Sequence, residues 1–273
     1  MLVSSLVLLV ALYAWGLLTV WHRAGVGRGI LRWQAASFGA AWLVLVAALS
    51  SPMDEWSESW LTAHMVQHEL LMAVAAPLFA VSAPAIAMMW AVPATLRTQT
   101  FALTRRPGMR RFWHWLTAPL TVFILHALAL WIWHLPALYD AALESEGIHI
   151  LQHLCFFGSA TLFWWGMMHG RCGRAGYGLA VIYVFATAVH AGVLGALLTI
   201  SPHVWYAPYL IAHPSGITPL EDQQLAGLLM WIPAGILMAA GGLALFAAWL
   251  RESERRTRFK PSAAVNGHVQ RTS

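Results

Sequence analysis

Apolar residues in this chain come in long blocks with few or no charges. Seven blocks reach about 20 residues, the length that crosses a hydrocarbon core of ~30 Å as a helix. They cover roughly 2–21, 33–51, 61–81, 117–135, 147–168, 177–200 and 224–250. The pattern predicts an all-α polytopic membrane protein with seven transmembrane helices. The first block, Leu2 to Val20, carries no charge. It follows no basic stretch and precedes no small-residue cleavage site, so a permanent span is expected rather than a cleaved signal. After the break at Ser82-Ala83-Pro84 comes a further apolar piece, Ala83 to Val92, which is expected to be a re-entrant or interfacial helix. The blocks share no fixed period, so no internal repeat is expected.

Composition supports this reading. Hydrophobic residues make up 59% of the 273 residues and charged ones 10%, against ~25% charged in a soluble domain. A net charge of +5 would suit nucleic acid, but its placement excludes that partner. The 16 basic residues occupy every second connection (23–32, 97–111, 171–174) and the end of the chain from Arg251. The intervening connections hold Asp54, Glu55, Glu58, Asp140, Glu144, Glu146, Glu221 and Asp222, with no Lys or Arg. Basic connections stay cytoplasmic, which predicts an N-terminus outside and a C-terminus in the cytoplasm. Residues 1–250 are expected to form one transmembrane domain in contact with the lipid bilayer, and 251–273 a basic, disordered cytoplasmic tail. Trp21, Trp56, Trp60, Trp90, Trp131, Trp133 and Trp205 mark span ends as an interfacial belt. The end of the 93–116 connection reads as an amphipathic segment at headgroup level. Cys155 and Cys172 fall too far apart in this topology for a disulfide.

Thirteen histidines stand out in so apolar a chain. His22, His114, His169 and His268 lie among arginines and read as interfacial residues, and His203 and His213 as loop residues. Two pairs carry more information. His64 and His68 lie near the outer start of the third span, and His149 and His153 near the outer start of the fifth. A spacing of four puts both rings of a pair on one helix face. At 1.5 Å per residue, His68 and His153 share a depth of roughly 10 Å. His134 closes the fourth span on the same side, with His126 about 12 Å deeper. His190 lies near mid-membrane. Glu69 is an intramembrane carboxylate, a costly feature without a partner, and Asp140, Asp222, Gln223 and Gln224 lie at the rim. Imidazole suits copper, zinc, iron and nickel, and the thioethers of Met65, Met72 and Met230 lean toward Cu(I). The expected ligands are therefore His64, His68, His149 and His153, with His134, Asp140, Glu69 and Asp222 as supporting groups. On the residues alone two other readings stay open. One is a membrane oxygenase or hydrolase holding iron or zinc, and the other a haem protein with one axial histidine from each of two helices.

Several segments together resemble the membrane CtaG family of caa-type cytochrome c oxidase assembly factors. They are His64-Met-Val-Gln-His68-Glu-Leu-Leu-Met72 with Ala76-Pro77, then Trp133-His134-Leu-Pro136-Ala-Leu-Tyr139-Asp140. His149-Ile-Leu-Gln-His153-Leu and Phe163-Trp164-Trp165 follow, and lastly Asp222-Gln223-Gln224-Leu-Ala-Gly227 with Met230-Trp231-Ile-Pro233. Glu69 departs from the family pattern, in which an apolar residue often follows the second histidine. The resemblance implies a seven-helix fold in a bacterial cell membrane and no catalytic activity. It implies a role in delivering copper to the active-site copper centre of cytochrome c oxidase. The partners would be oxidase subunit I and an extracytoplasmic copper donor.

Overall fold

Proline and glycine punctuate the chain where its helices begin and turn. In the computed structural model, which describes residues 2–169, 177–211 and 216–258, no strand occurs among the described residues. Helix α1 (Leu2–Ala24) is followed by a turn in which Gly25, Gly27 and Gly29 take φ of 95°, 79° and 78°. Side chains rarely adopt that left-handed conformation, so glycine is needed there. Then come α2 (Arg32–Leu49), α3 (Met53–Ser59) and α4 (Leu61–Val81). Of the next five helices, four begin with proline in the first turn, where the missing N–H costs no hydrogen bond. These are α5 (Pro84–Ala91), α7 (Pro107–Leu116), α8 (Pro119–Trp133) and α9 (Pro136–Glu144), with α6 (Ala94–Arg105) between the first two. The chain continues as α10 (Glu146–His169), α11 (Tyr177–Ile200), α12 (Pro208–Ile211) and α13 (Pro219–Arg258).

The apolar blocks became helices that turn their large hydrophobic side chains outward. Phe185 is 69% exposed, Leu243 68% and Trp15 66%. A soluble protein does not display so much apolar surface, whereas a lipid-facing one must. Five helices are long and apolar enough to cross a membrane: α1, α2, α4, α11 and α13. A sixth is added if α7 and α8, which meet at 58°, form one broken span. Helix α10 has 24 residues, about 36 Å, but its histidines and glutamine dilute its apolar character.

Some boundaries differ from expectation. The fourth block condenses to the 15 residues of α8, because Thr117 and Ala118 break the helix before Pro119. The last helix starts at Pro219 and continues past residue 250 to Arg258, so the expected tail is helical over its first eight residues (251–258), a run rich in good helix formers. His213, His268, Cys172, Arg171, Arg174 and the chain beyond Arg258 lie outside the described residues.

Helix α4 is the centre of the assembly. Its most apolar window is 56% buried, against 17–33% for the other four apolar spans. It packs against α2, α10 and α13. The α11–α13 pair is the most extensive helix contact, and it closes tightly at Gly195 and Gly227. A Cβ on Gly227 would lie 2.5 Å from the Gly195 carbonyl oxygen, so small residues permit the backbone approach. Helix α5 is too short to span. It packs on α1, where Gly16 admits the backbone of Ala87.

Side-chain contacts sort the connections onto two faces. Arg23 and Arg97 both lie over the Trp90 ring, at 5.3 and 4.2 Å, which joins the first two basic connections. Trp113 of α7 meets Trp165 near the end of α10, which brings that end of α10 to the same face. At the opposite face, Asp222 reaches the start of α4, Tyr209 bonds Ser57 and Tyr206 bonds His134. The arginine-free connections therefore meet over one end of the bundle.

Candidate metal centre

Asp222 sets the position of α4. The start of that helix has no side-chain cap of its own, and its first backbone N–H groups need acceptors. Asp222 supplies them from α13. Its carboxylate accepts from Leu61 N at 2.7 Å and Thr62 N at 3.2 Å, and its own carbonyl accepts from the Thr62 hydroxyl at 3.1 Å. A negative group here also complements the helix dipole. Gln223 ties down the neighbouring connection, accepting from Trp205 N at 2.6 Å and donating to His203 O at 3.0 Å. The Asp222-Gln223 dipeptide thus fastens α13 to α4 one turn above His64.

The two histidine pairs meet. His68 and His153 have ring centroids 5.3 Å apart, His64 and His149 5.1 Å, and His64 and His153 6.1 Å. Within the pairs the separations are 4.4 Å for His64–His68 and 4.3 Å for His149–His153. One ring nitrogen from each of His64, His149 and His153 falls within 4.8 Å of the others. His134 joins from the end of α8, 6.0 Å from His68. Five imidazoles from α4, α8 and α10 therefore share one space beneath the arginine-free face. Phe156 packs edge-on against His68 and floors the cluster.

The hydrogen-bond network assigns the protons of two of these rings. Tyr209 has one hydroxyl proton, which it donates to Ser57 O at 2.9 Å. The same hydroxyl lies 3.1 Å from His64 Nδ1, so Nδ1 carries a proton and donates it, leaving Nε2 bare. Burial pushes the Tyr209 phenol above its ordinary range, so it keeps that proton. His134 Nδ1 lies 2.7 Å from Leu130 O, and a carbonyl only accepts. His134 Nε2 is therefore bare too. It is buried and has no hydrogen-bond partner among the described residues, as is the case for His149 Nε2, His153 Nε2 and His68 Nδ1. Buried ring nitrogens are normally satisfied. An acceptor that fixes the far nitrogen of an imidazole is the usual support of a metal-ligating histidine. The bare His64 Nε2 accepts a hydrogen bond from His68 Nε2–H at 3.0 Å, so the bare nitrogen of the His68 ring is its Nδ1. The grouped nitrogens of His64, His149 and His153 are close enough to hold a metal ion between them.

The other expected residues take different places. Asp140 sits on α9 at the rim and makes no hydrogen bond to these five rings among the described residues. Asp222 acts through the backbone of α4. Glu69 follows His68 but faces a separate, deeper cavity. His126 bonds Ser159, and Trp131 donates to His190 Nδ1 at 3.3 Å. His203 stays in its connection. Cys155 is a free, partly buried residue of α10. Sequence reasoning missed the aromatic lid. Tyr139 and Tyr206 stack at 3.9 Å, and Tyr139 lies 5.0 Å from His64. Tyr206 donates to His134 O at 3.1 Å. A signal existed: the chain has only six tyrosines, and three of them fall in arginine-free connections.

Fold and site define a polytopic α-helical membrane protein with a histidine-lined polar centre enclosed by its helices near one face. The family model for the cytochrome c oxidase caa3 assembly factor (Caa3_CtaG) matches residues 11–252. The chain belongs to that family, whose members are assembly factors for cytochrome c oxidase. No curated protein and no solved structure gives a significant match.

Proposed function

We propose that the five-histidine cluster carries Cu(I) as cargo and that the protein, without catalysing a reaction, hands it to the active-site copper centre of cytochrome c oxidase subunit I. The observation that carries this reading is the pair of locked tautomers: Tyr209 and Leu130 O hold protons on the Nδ1 atoms, so His64 and His134 present bare Nε2 atoms. Five rings with no carboxylate bonded to them among the described residues favour a monovalent ion. The cost of burying an ion scales with the square of its charge, so a divalent ion costs about four times as much there. Cu(I) needs few ligands and accepts imidazole. Five nitrogens exceed that need, which lets the ion exchange ligands stepwise instead of being trapped.

In the same reading the chain spans the membrane seven times, counting α10 and the α7–α8 pair, with its N-terminus outside. That places the cluster beneath the extracytoplasmic face of a bacterial cell membrane, where a copper donor can reach it. A groove of about 370 Å³, lined by Trp131, His134, Leu135, Pro136, Leu194 and Trp205, opens beside His134. This is the exit we assign to the ion. The test is oxidase maturation in cells carrying His68→Ala or His153→Ala. Both should insert normally and fail to support oxidase activity at low copper, with partial recovery at high copper by mass action. Normal activity of both variants at low copper would refute delivery through the cluster.

A further inference from the structure

The five clustered rings are not equally accessible. His64, His68, His134 and His153 are buried, whereas His149 is half-buried. An ion that arrives from the arginine-free face therefore meets His149 first. From there the rings form a series of short steps. Centroid separations are 4.3 Å from His149 to His153, 5.3 Å from His153 to His68 and 6.0 Å from His68 to His134. The series ends at the groove beside His134.

Helix α3 places two carboxylates at the start of this series. Asp54 and Glu58 are exposed and four residues apart, so they share a helix face. Both lie close enough to His149 for their charges to act on its ring. The helix is lashed in place over the cluster. Gln67, buried on α4 between His64 and His68, donates to Asp54 Oδ1 at 3.3 Å and to Ala48 O at 2.7 Å. The Ser57 hydroxyl donates to Asp54 O at 2.7 Å, and Ser57 O accepts from Tyr209. Like charges at a spacing of four oppose helix formation, and Glu58 stands in the last turn, where the helix dipole disfavours a carboxylate. The connection has no Lys or Arg to relieve either cost. Acidic surface alone would mean little. Here it borders His153, a buried ring whose Nε2 has no partner among the described residues and whose nitrogen groups with those of His64 and His149.

We propose that His149 is the loading port of the cluster and that Asp54 and Glu58 steer a monovalent metal cation to it. The inference rests on the copper reading of the cluster and gives that path a direction, in at His149 and out at His134. The two carboxylates guide the ion without binding it in the loaded state. Their removal therefore changes the rate of loading and leaves the final occupancy alone. A negative rim beside a low-dielectric wall concentrates cations, and the effect weakens as salt screens it.

The test uses purified full-length protein in detergent, mixed with Cu(I) supplied as its cationic acetonitrile complex in oxygen-free buffer. Loading is stopped at set times with excess chelator, and the copper retained per chain is counted. Wild-type loading should slow as salt is added. Asp54→Asn/Glu58→Gln should load roughly tenfold more slowly at low salt, the lower end of what a focused field gives, with little salt dependence and the same final copper count. Glu58→Gln alone keeps the Asp54–Gln67 bond and should be slowed in part. Glu55→Gln removes the same charge from the same helix, but Glu55 is not among the charges acting on His149, so it should load at the wild-type rate. Equal rates for Glu58→Gln and Glu55→Gln, or wild-type loading that ignores salt, overturn the port and leave the copper reading standing. A lower final count in folded carboxylate variants also overturns it, because the carboxylates would then be ligands. A wild-type protein that retains no copper overturns both readings.

Discussion

Tyr209→Phe isolates the role of a single proton. The substitution removes one oxygen from the aromatic lid and leaves every histidine in place. In the native structure that oxygen accepts the His64 Nδ1 proton at 3.1 Å while donating to Ser57 O. Without it, a buried N–H loses its acceptor, at a cost of about 1–3 kcal/mol. The ring can avoid that cost by moving its proton to Nε2, which removes the lone pair a metal needs. Loss of such a supporting partner lowers metal affinity about 10–100-fold, or about 1.4–2.8 kcal/mol. The assay is equilibrium competition against a chromogenic Cu(I) chelator, with purified variant and wild type at equal concentration. The expected result is weaker binding with an unchanged number of ions per chain, because no ligand has been deleted. Wild-type affinity in a folded Tyr209→Phe protein would refute the tautomer argument.

Three further outcomes follow from the same geometry. His114→Ala, on the basic α7, should mature the oxidase as wild type does, in contrast to His68→Ala and His153→Ala, as measured by oxidase activity in membranes normalised to protein level. Cysteine labelling should reach positions near Glu58 and Glu146 from outside the cell and positions near Arg106 and Arg258 only from the cytoplasm; one position on the wrong side would overturn the seven-span reading. Gly227→Ala places a Cβ 2.5 Å from Gly195 O and from Thr199 Oγ1, which should force α11 and α13 apart and cost about 1–3 kcal/mol, read as a lower midpoint of thermal unfolding in detergent.

Hydropathy made most of the fold legible, because lipid demands long apolar helices whatever their neighbours. It held even at α10, whose expected block of 147–168 matches Glu146–His169 to within one residue at each end. That helix carries His149, Gln152 and His153, of which Gln152 and His153 are buried, and these polar residues lower the apolar signal of the span. The matched depth of His68 and His153 was readable from helix rise alone. Which helices touch was not, since depth and face do not specify neighbours. His134 therefore looked like a supporting group, whereas its ring lies within the cluster. Glu69 looked like a companion of His68, but consecutive helical residues point about 100° apart, and Glu69 faces the deeper cavity. The tyrosine lid depends on a connection folding back over the bundle, for which hydrophobic pattern carries no signal. Asp222 showed its rim position in sequence, but its partner, the start of α4, lies 160 residues away.

The central claim is that the clustered imidazoles bind Cu(I), and the most direct measurement is a Cu(I) titration of purified wild type beside His68→Ala/His153→Ala. Both substitutions lie in the polar centre and leave the Asp222 cap and the α11–α13 contact intact, so the variant should stay folded by circular dichroism and gel filtration. The account predicts that wild type retains one more tightly held copper ion per chain than the variant, with nitrogen ligands that disappear along with it. Equal copper binding by the two folded proteins would contradict it.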